Sequence, residues 1–166
     1  MDWGSLGFGV KVALAGFARW LYRGHRPNAV ARLLNRAAAA VFARGVAPDY
    51  LVTLDVTGRK SGRTISLPLV MAVLDRQRFL VSHLGADVAW VRNVKATAGH
   101  AVLRHGRTEH VRLEECAVDK RAPVLKAHLR HAPGARPHMP VDKDAPLEEF
   151  DAVAAQFPVF RVLGAS

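Results

Sequence analysis

Six short runs of β-forming residues, each closed by a turn signal, limit what this chain can become. Tyr50–Thr57, Thr64–Leu74 and Arg78–His83 come first. Runs near His100–His105 and Thr108–Val118 follow, and Phe157–Leu163 closes the series. Their β-branched and aromatic residues fit a pleated, half-buried surface, and partial alternation along each run fits one buried face. The connections Thr57–Gly62, Asp75-Arg76-Gln77 and Gly106 are too short for crossover helices. Strands joined in this way are antiparallel neighbours, and a string of them favours a barrel over a parallel sheet. Pro68 has no amide N–H to give to a ladder, so an edge or a bulge is expected there.

Helical signals flank these runs. In residues 1–45, Phe8, Val12, Phe17, Trp20 and Leu21 form a loose apolar stripe that Gly24 and Pro27 interrupt. A second helix is expected from about Asn28 to Arg44, where Val30, Leu33, Leu34, Ala37, Val41 and Phe42 recur at helical spacing. Gly45 is its stop signal and Pro48 follows. Asp87 is expected to cap a short helix through Trp90, Asn93 and Ala96, and Asp119 one that reaches about His131. Four prolines between Pro133 and Pro146 make the next stretch irregular, and 147–156 reads as helical. The expected layout is a pair of N-terminal basic amphipathic helices over 1–48 and a barrel over 49–166, forming one structural domain.

Charge narrows the partners. The net charge is +10, and the leader over 1–45 carries seven Lys or Arg against the single acid Asp2. Nucleic acid, an anionic membrane surface and an anionic small molecule are the candidates. Aromatic residues make up only 7% and are not interleaved with the basic clusters, so nucleic acid is not expected. The Ala-rich leader faces suit packing on the barrel or on a second subunit better than membrane binding, which stays open as a peripheral contact. No run of about 18 apolar residues offers a membrane span. The short apolar run after Lys11 reads as mature protein rather than a signal peptide. Cys116 is the only cysteine, which excludes an internal disulfide and fits a cytoplasmic setting. It reads as core filler rather than nucleophile.

Two constellations carry chemistry. In Thr57-Gly58-Arg59-Lys60-Ser61-Gly62, glycines at both ends free the backbone to approach a ligand. Arg59, Lys60 and Arg63 add charge with no acid between them, and Ser61 adds a hydroxyl; together they suit phosphate or carboxylate. Taken alone, such a segment is more often a solvated hairpin tip. In Ser82-His83-Leu84-Gly85 a strand ends in a glycine loop and enters a helix whose Trp90 and Asn93 share a face. An aromatic plane beside an amide suits a planar heterocycle; the plainer alternative is a core anchor and a helix-to-loop hydrogen bond. His100, His105 and His110, or His128 and His131, lack the cysteine or carboxylate support of a metal site, and none is expected. No Ser-His-Asp arrangement and no carboxylate dyad stands out.

Read together, Thr57–Gly62, Pro68-Leu69, Ser82–Gly85 and Trp90-Val91-Arg92-Asn93-Val94-Lys95-Ala96 resemble the deazaflavin-dependent nitroreductase family in order and approximate spacing over residues 50–118. The tail, with Ala132–His138 and Phe157–Phe160, is similar to a subfamily common in actinobacteria. The resemblance implies an α+β split antiparallel β-barrel of about six strands that binds coenzyme F420, often as a homodimer. It implies that Arg59, Lys60 and Ser61, with Gly62 and Arg63, hold the anionic part of the cofactor. It places Pro68, Trp90 and Asn93 along the deazaflavin ring, and Ser82, His83, Leu84 and Gly85 at the linker. Ile65 stands where relatives often carry another Arg, and the loop from Gly85 to Trp90 is shorter than theirs and lacks their Lys. The implied activity is hydride transfer from reduced F420 to a quinone, nitroaromatic or enone. An FMN-binding reductase on the same barrel and a non-catalytic binding module are the alternatives.

Overall fold

The computed structural model describes residues 29–45 and 48–165. The first expected helix lies outside the described residues. The chain runs α1 (Ala29–Ala43), β1 (Leu51–Thr57), β2 (Thr64–Leu74), β3 (Gln77–Val81), α2 (Ala89–Ala96), β4 (His100–His105), β5 (Arg107–Glu115), α3 (Ala122–His131), α4 (Leu147–Val153) and β6 (Val159–Gly164).

The six strands close into an antiparallel barrel in the order β1-β2-β3-β6-β5-β4. Alternation along β1 sends Val52, Leu54 and Val56 inward, where they meet Leu80, Leu103, Val111, Leu113 and Phe160. Helix α2 closes this interior with the buried Val91 and Val94. A second core lies outside the barrel, where Phe79 and Val81 of β3 pack under α3 and α4 through Leu125, Leu129 and Phe150. Each buried Leu or Phe contributes about 1.5–3 kcal/mol relative to exposure.

Strand β2 serves two hairpins. Residues 64–70 pair with β1 and residues 71–74 pair with β3. Pro68 faces Thr53 of β1 and falls in the stretch that β3 does not reach, so its missing N–H breaks no ladder on that side. The β2–β3 hairpin closes through Asp75 and Arg76, both at positive φ (49° and 62°), with Leu74 facing Gln77. This is the two-residue turn whose twist matches that of the strands.

Helix α1 lies on the outer face of β1, β2 and β4. The buried Thr53 hydroxyl donates to the Ala39 carbonyl, and the Gly106 amide donates to the Ala43 carbonyl. Gly45, at φ +71°, comes so near the β4–β5 turn that a Cβ there would lie 2.7 Å from the Gly106 Cα. The end of α1 is thereby clamped to the barrel.

Two expected caps are not formed. Val88, not Asp87, is the N-cap of α2, with no side-chain cap bond. Arg92 instead donates to the Asp87 carbonyl through Nε and Nη2, and the Asp87 carboxylate lies 3.8 Å from that guanidinium. Asp119 belongs to a 3-10 turn, Val118–Lys120, that precedes α3, and pairs with Lys120 at 3.5 Å. Strand β5 also ends at Glu115 rather than Val118: the Cys116 amide makes one more bond, to the Val159 carbonyl at the start of β6, and Val118 enters the 3-10 turn. Strand β3 ends at Val81, which leaves Ser82 and His83 in the following loop.

Candidate cofactor and substrate site

The basic turn is a built structure. The Gly58 carbonyl accepts from the Ser61 and Gly62 amides, and the Gly58 amide donates to the Arg63 carbonyl. Gly62 sits at φ +65° with open space where a Cβ would be. The Ser61 hydroxyl accepts from the Arg63 amide. The side chains of Lys60 and Arg63 are exposed and have no carboxylate partner among the described residues.

Asn93 ties this turn to α2. Its side-chain oxygen accepts from the Arg59 amide and from Arg59 Nη1, both at 3.2 Å, and the residue is 2% exposed. Asn93 and Arg59, 34 positions apart in sequence, thus meet directly. Trp90 is half-buried and its ring lies 5.5 Å from Phe160, against the barrel core. Leu67 and Leu69 pack on that same core, which puts Pro68 between them on the opposite, outward side of β2.

The loop after β3 is closed by the Ser82 hydroxyl donating to the Gly85 carbonyl at 2.6 Å, and by the Gly85 amide donating to the Ser82 carbonyl. His83, Leu84 and Gly85 line a cavity of about 460 Å³, walled opposite by Pro137, His138 and Met139. No Asp, Glu, Lys or Arg lines it.

Three histidines from distant segments meet beside this cavity. The His83 ring stacks on His138 at 5.7 Å and on His128 at 5.9 Å. Burial, with the neighbouring His138, pushes the His83 pKa down to about 4. Burial, with His83 and His131, pushes His128 down to about 3. Both are therefore neutral at physiological pH. The Nδ1 of His83 and both ring nitrogens of His128 are buried without a hydrogen-bond partner. Spacing had singled out His128 with His131, but not with His83 and His138. The exposed His131 instead meets Tyr50, with ring centroids 5.5 Å apart. Cys116 is half-buried, and burial raises its pKa, which opposes a nucleophilic role.

Residues 30–147 match the model of the F420H2-dependent quinone reductase family. The chain belongs to this family. It is an oxidoreductase whose reductant is the reduced deazaflavin F420. Solved structures support the fold. An F420H2-dependent reductase, FDR-A, is 21% identical, covers 69% of this chain and 94% of its own, and superposes with a TM-score of 0.50. A protein described as a domain-swapped dimer is 21% identical over 80% of this chain and 92% of its own, with a TM-score of 0.51. A conserved hypothetical protein from Mycobacterium tuberculosis is 14% identical over 76% of this chain and 80% of its own, with a TM-score of 0.53. No curated protein sequence matches the chain.

Proposed function

We propose that this F420H2-dependent reductase holds the anionic part of its cofactor on the Gly58–Arg63 turn and reduces a quinone in the cavity beside His83. The observation that carries the first half is a preformed turn, anchored to α2 through Asn93, with two cations that have no carboxylate partner among the described residues. Such donors suit phosphate and carboxylate. Lys60 and Arg63 would hold the charge, with Ser61 and the Gly62 amide beside them, and Arg59 divides its guanidinium between Asn93 and the ligand. The bound deazaflavin supplies the hydride.

The protein's own part is binding, orientation and exclusion of water. The loop Ser82–Gly85 presents His83, Leu84 and Gly85 to the cavity, and Trp90 at the start of α2 packs beside Phe160. A lining with the neutral His83 and no Asp, Glu, Lys or Arg suits an uncharged carbonyl acceptor better than a charged one. A neutral His83 can donate one hydrogen bond to a quinone oxygen. Nitroaromatics and enones present the same kind of acceptor.

The test follows oxidation of F420H2 with and without menadione. The K60Q/R63Q variant is expected to weaken cofactor binding by about a hundredfold, since each of the two lost charge-assisted contacts contributes about 1.4 kcal/mol. Unchanged affinity would reject the turn as the anion site. A thermal shift with FMN but none with F420 would favour the FMN alternative.

No described helix is long and apolar enough to cross a membrane. A peripheral contact has one supporting observation: α1 exposes Leu33, Leu34 and Val41 and contains no acid. The L33E/L34E variant should float less with anionic vesicles than the parent. A homodimer is testable by sedimentation.

A further inference from the structure

A second cavity, this one basic, shares no lining residue with the Gly58–Arg63 turn or the histidine cavity. It occupies about 490 Å³ between α1 and the outer face of the barrel. Its lining is Arg36, Ala39, Ala43, Arg44, Ser66 and Arg104, with Ala40 beside them. The alanines leave a floor without bulk, so three guanidiniums border one space.

Charge there is not internally balanced. Among the described residues, Asp55 is the only carboxylate that pairs with any of these arginines; it meets Arg104 at 2.9 and 3.0 Å. The Arg104 Nε lies 2.9 Å from Asp55 Oδ2 but makes no acceptable hydrogen bond, and it is buried. Arg104 Nη2 also reaches the Ser66 hydroxyl at 3.4 Å. The guanidiniums of Arg36 and Arg44 have no partner among the described residues. Among the described residues, three cations against one anion leave a net charge of +2 around a preformed space.

The cavity does not depend on a floppy helix. Thr53 to Ala39, Gly106 to Ala43 and the Gly45–Gly106 contact fix α1 at the level of Arg36 to Arg44. The carbonyls of Val41 and Phe42 are also satisfied, by the Arg44 and Gly45 amides. The negative end of the helix is thereby capped, which reduces its opposition to an anion.

We propose that this cavity is an anion site for a phosphate- or carboxylate-bearing group, held between Arg36, Arg44 and Arg104 with Ser66 as a hydroxyl partner. Guanidiniums recognise such groups through paired N–H donors. The site is independent of which cofactor occupies the Gly58–Arg63 turn. Two sources present this chemistry: a free small anion and a phospholipid headgroup met by α1.

The experiment is an NMR titration of the full chain with inorganic pyrophosphate, reading the Arg104 Nε–H and the Ser66 and Ala43 amides. A parallel arm measures flotation with phosphatidylglycerol and phosphatidylcholine vesicles. Saturable shifts at these three probes are expected in the parent protein. In the R36Q/R44Q variant they should need about tenfold more pyrophosphate, while shifts at Gly58–Arg63 persist. Shifts without flotation assign the site to free anions. Shifts with flotation on phosphatidylglycerol that R36Q/R44Q loses assign it to headgroups. The proposal is overturned by silent Arg104 and Ser66 probes, or by an unchanged titration in a folded R36Q/R44Q variant.

Discussion

Replacing Asn93 by Leu, alone and together with Arg59→Ala, separates two roles that one residue can have. The side-chain oxygen of Asn93 accepts two bonds from Arg59, one from the backbone and one from the guanidinium, and the residue is almost fully buried. Leucine keeps the volume and removes the acceptor. The backbone bond is worth about 1 kcal/mol; the guanidinium bond, stronger in principle but partly exposed, contributes about as much. Asn93→Leu should then cost about 2 kcal/mol, a fall in Tm of about 4–8 °C for a chain of this size. Arg59→Ala removes only the side-chain contact, so the double variant should be less destabilised than the sum by about 1 kcal/mol. Thermal melts of the four proteins give this coupling directly. Cofactor binding, read by fluorescence, should weaken in Asn93→Leu because the turn loses its anchor. Strict additivity in stability would refute the coupling. A loss of cofactor affinity with no loss of stability would show that Asn93 acts by touching the ring instead.

Acidification should destabilise the protein through His83 and His128. Their folded pKa values of about 4 and about 3 lie below the ordinary 6.5, so the unfolded chain binds more protons between those values. Stability is full above about pH 6.5 and lost as pH falls toward 4 and 3, by on the order of 4 kcal/mol at pH 5 and about 8 kcal/mol once both rings are protonated; urea midpoints at pH 7.5 and 5 measure this, and His128→Leu should flatten the dependence. Arg76→Gly removes a side chain from a φ of 62° and should raise stability by about 0.5–1 kcal/mol, seen as a higher urea midpoint at constant slope. Cys116, with its raised pKa, should react with iodoacetamide at pH 8 more slowly in the folded chain than in urea; equal rates would contradict its burial.

The strand pattern made much of the barrel legible, because period-2 alternation and short turns are local. All six strands form, and the turn at Asp75-Arg76 falls where its residues pointed. The caps were less legible. An aspartate before a helix caps only if its carboxylate turns to the first amides, and at Asp87 the guanidinium of Arg92 turns back on the preceding loop instead. Asp119 failed for a related reason, being drawn into a tight turn beside Lys120. The site was half legible. The basic turn and Asn93 stood out by composition, but their bond spans 34 positions and depends on where α2 docks. The stacking of His83, His128 and His138 had no local signal, since only the packing of α3 and the Pro133–His138 turn on the end of β3 joins them.

The division of β2 between two hairpins has a consequence for detecting ligands. Between Thr64 and Val70 the strand has β1 on one side and no strand on the other among the described residues. Every second amide along this seam, apart from the one that Pro68 lacks, points away from its only neighbour. Such amides exchange with deuterium unless something covers them. A short-pulse exchange map would therefore act as a footprint, registering the outline of whatever settles along the seam before its chemical identity is known.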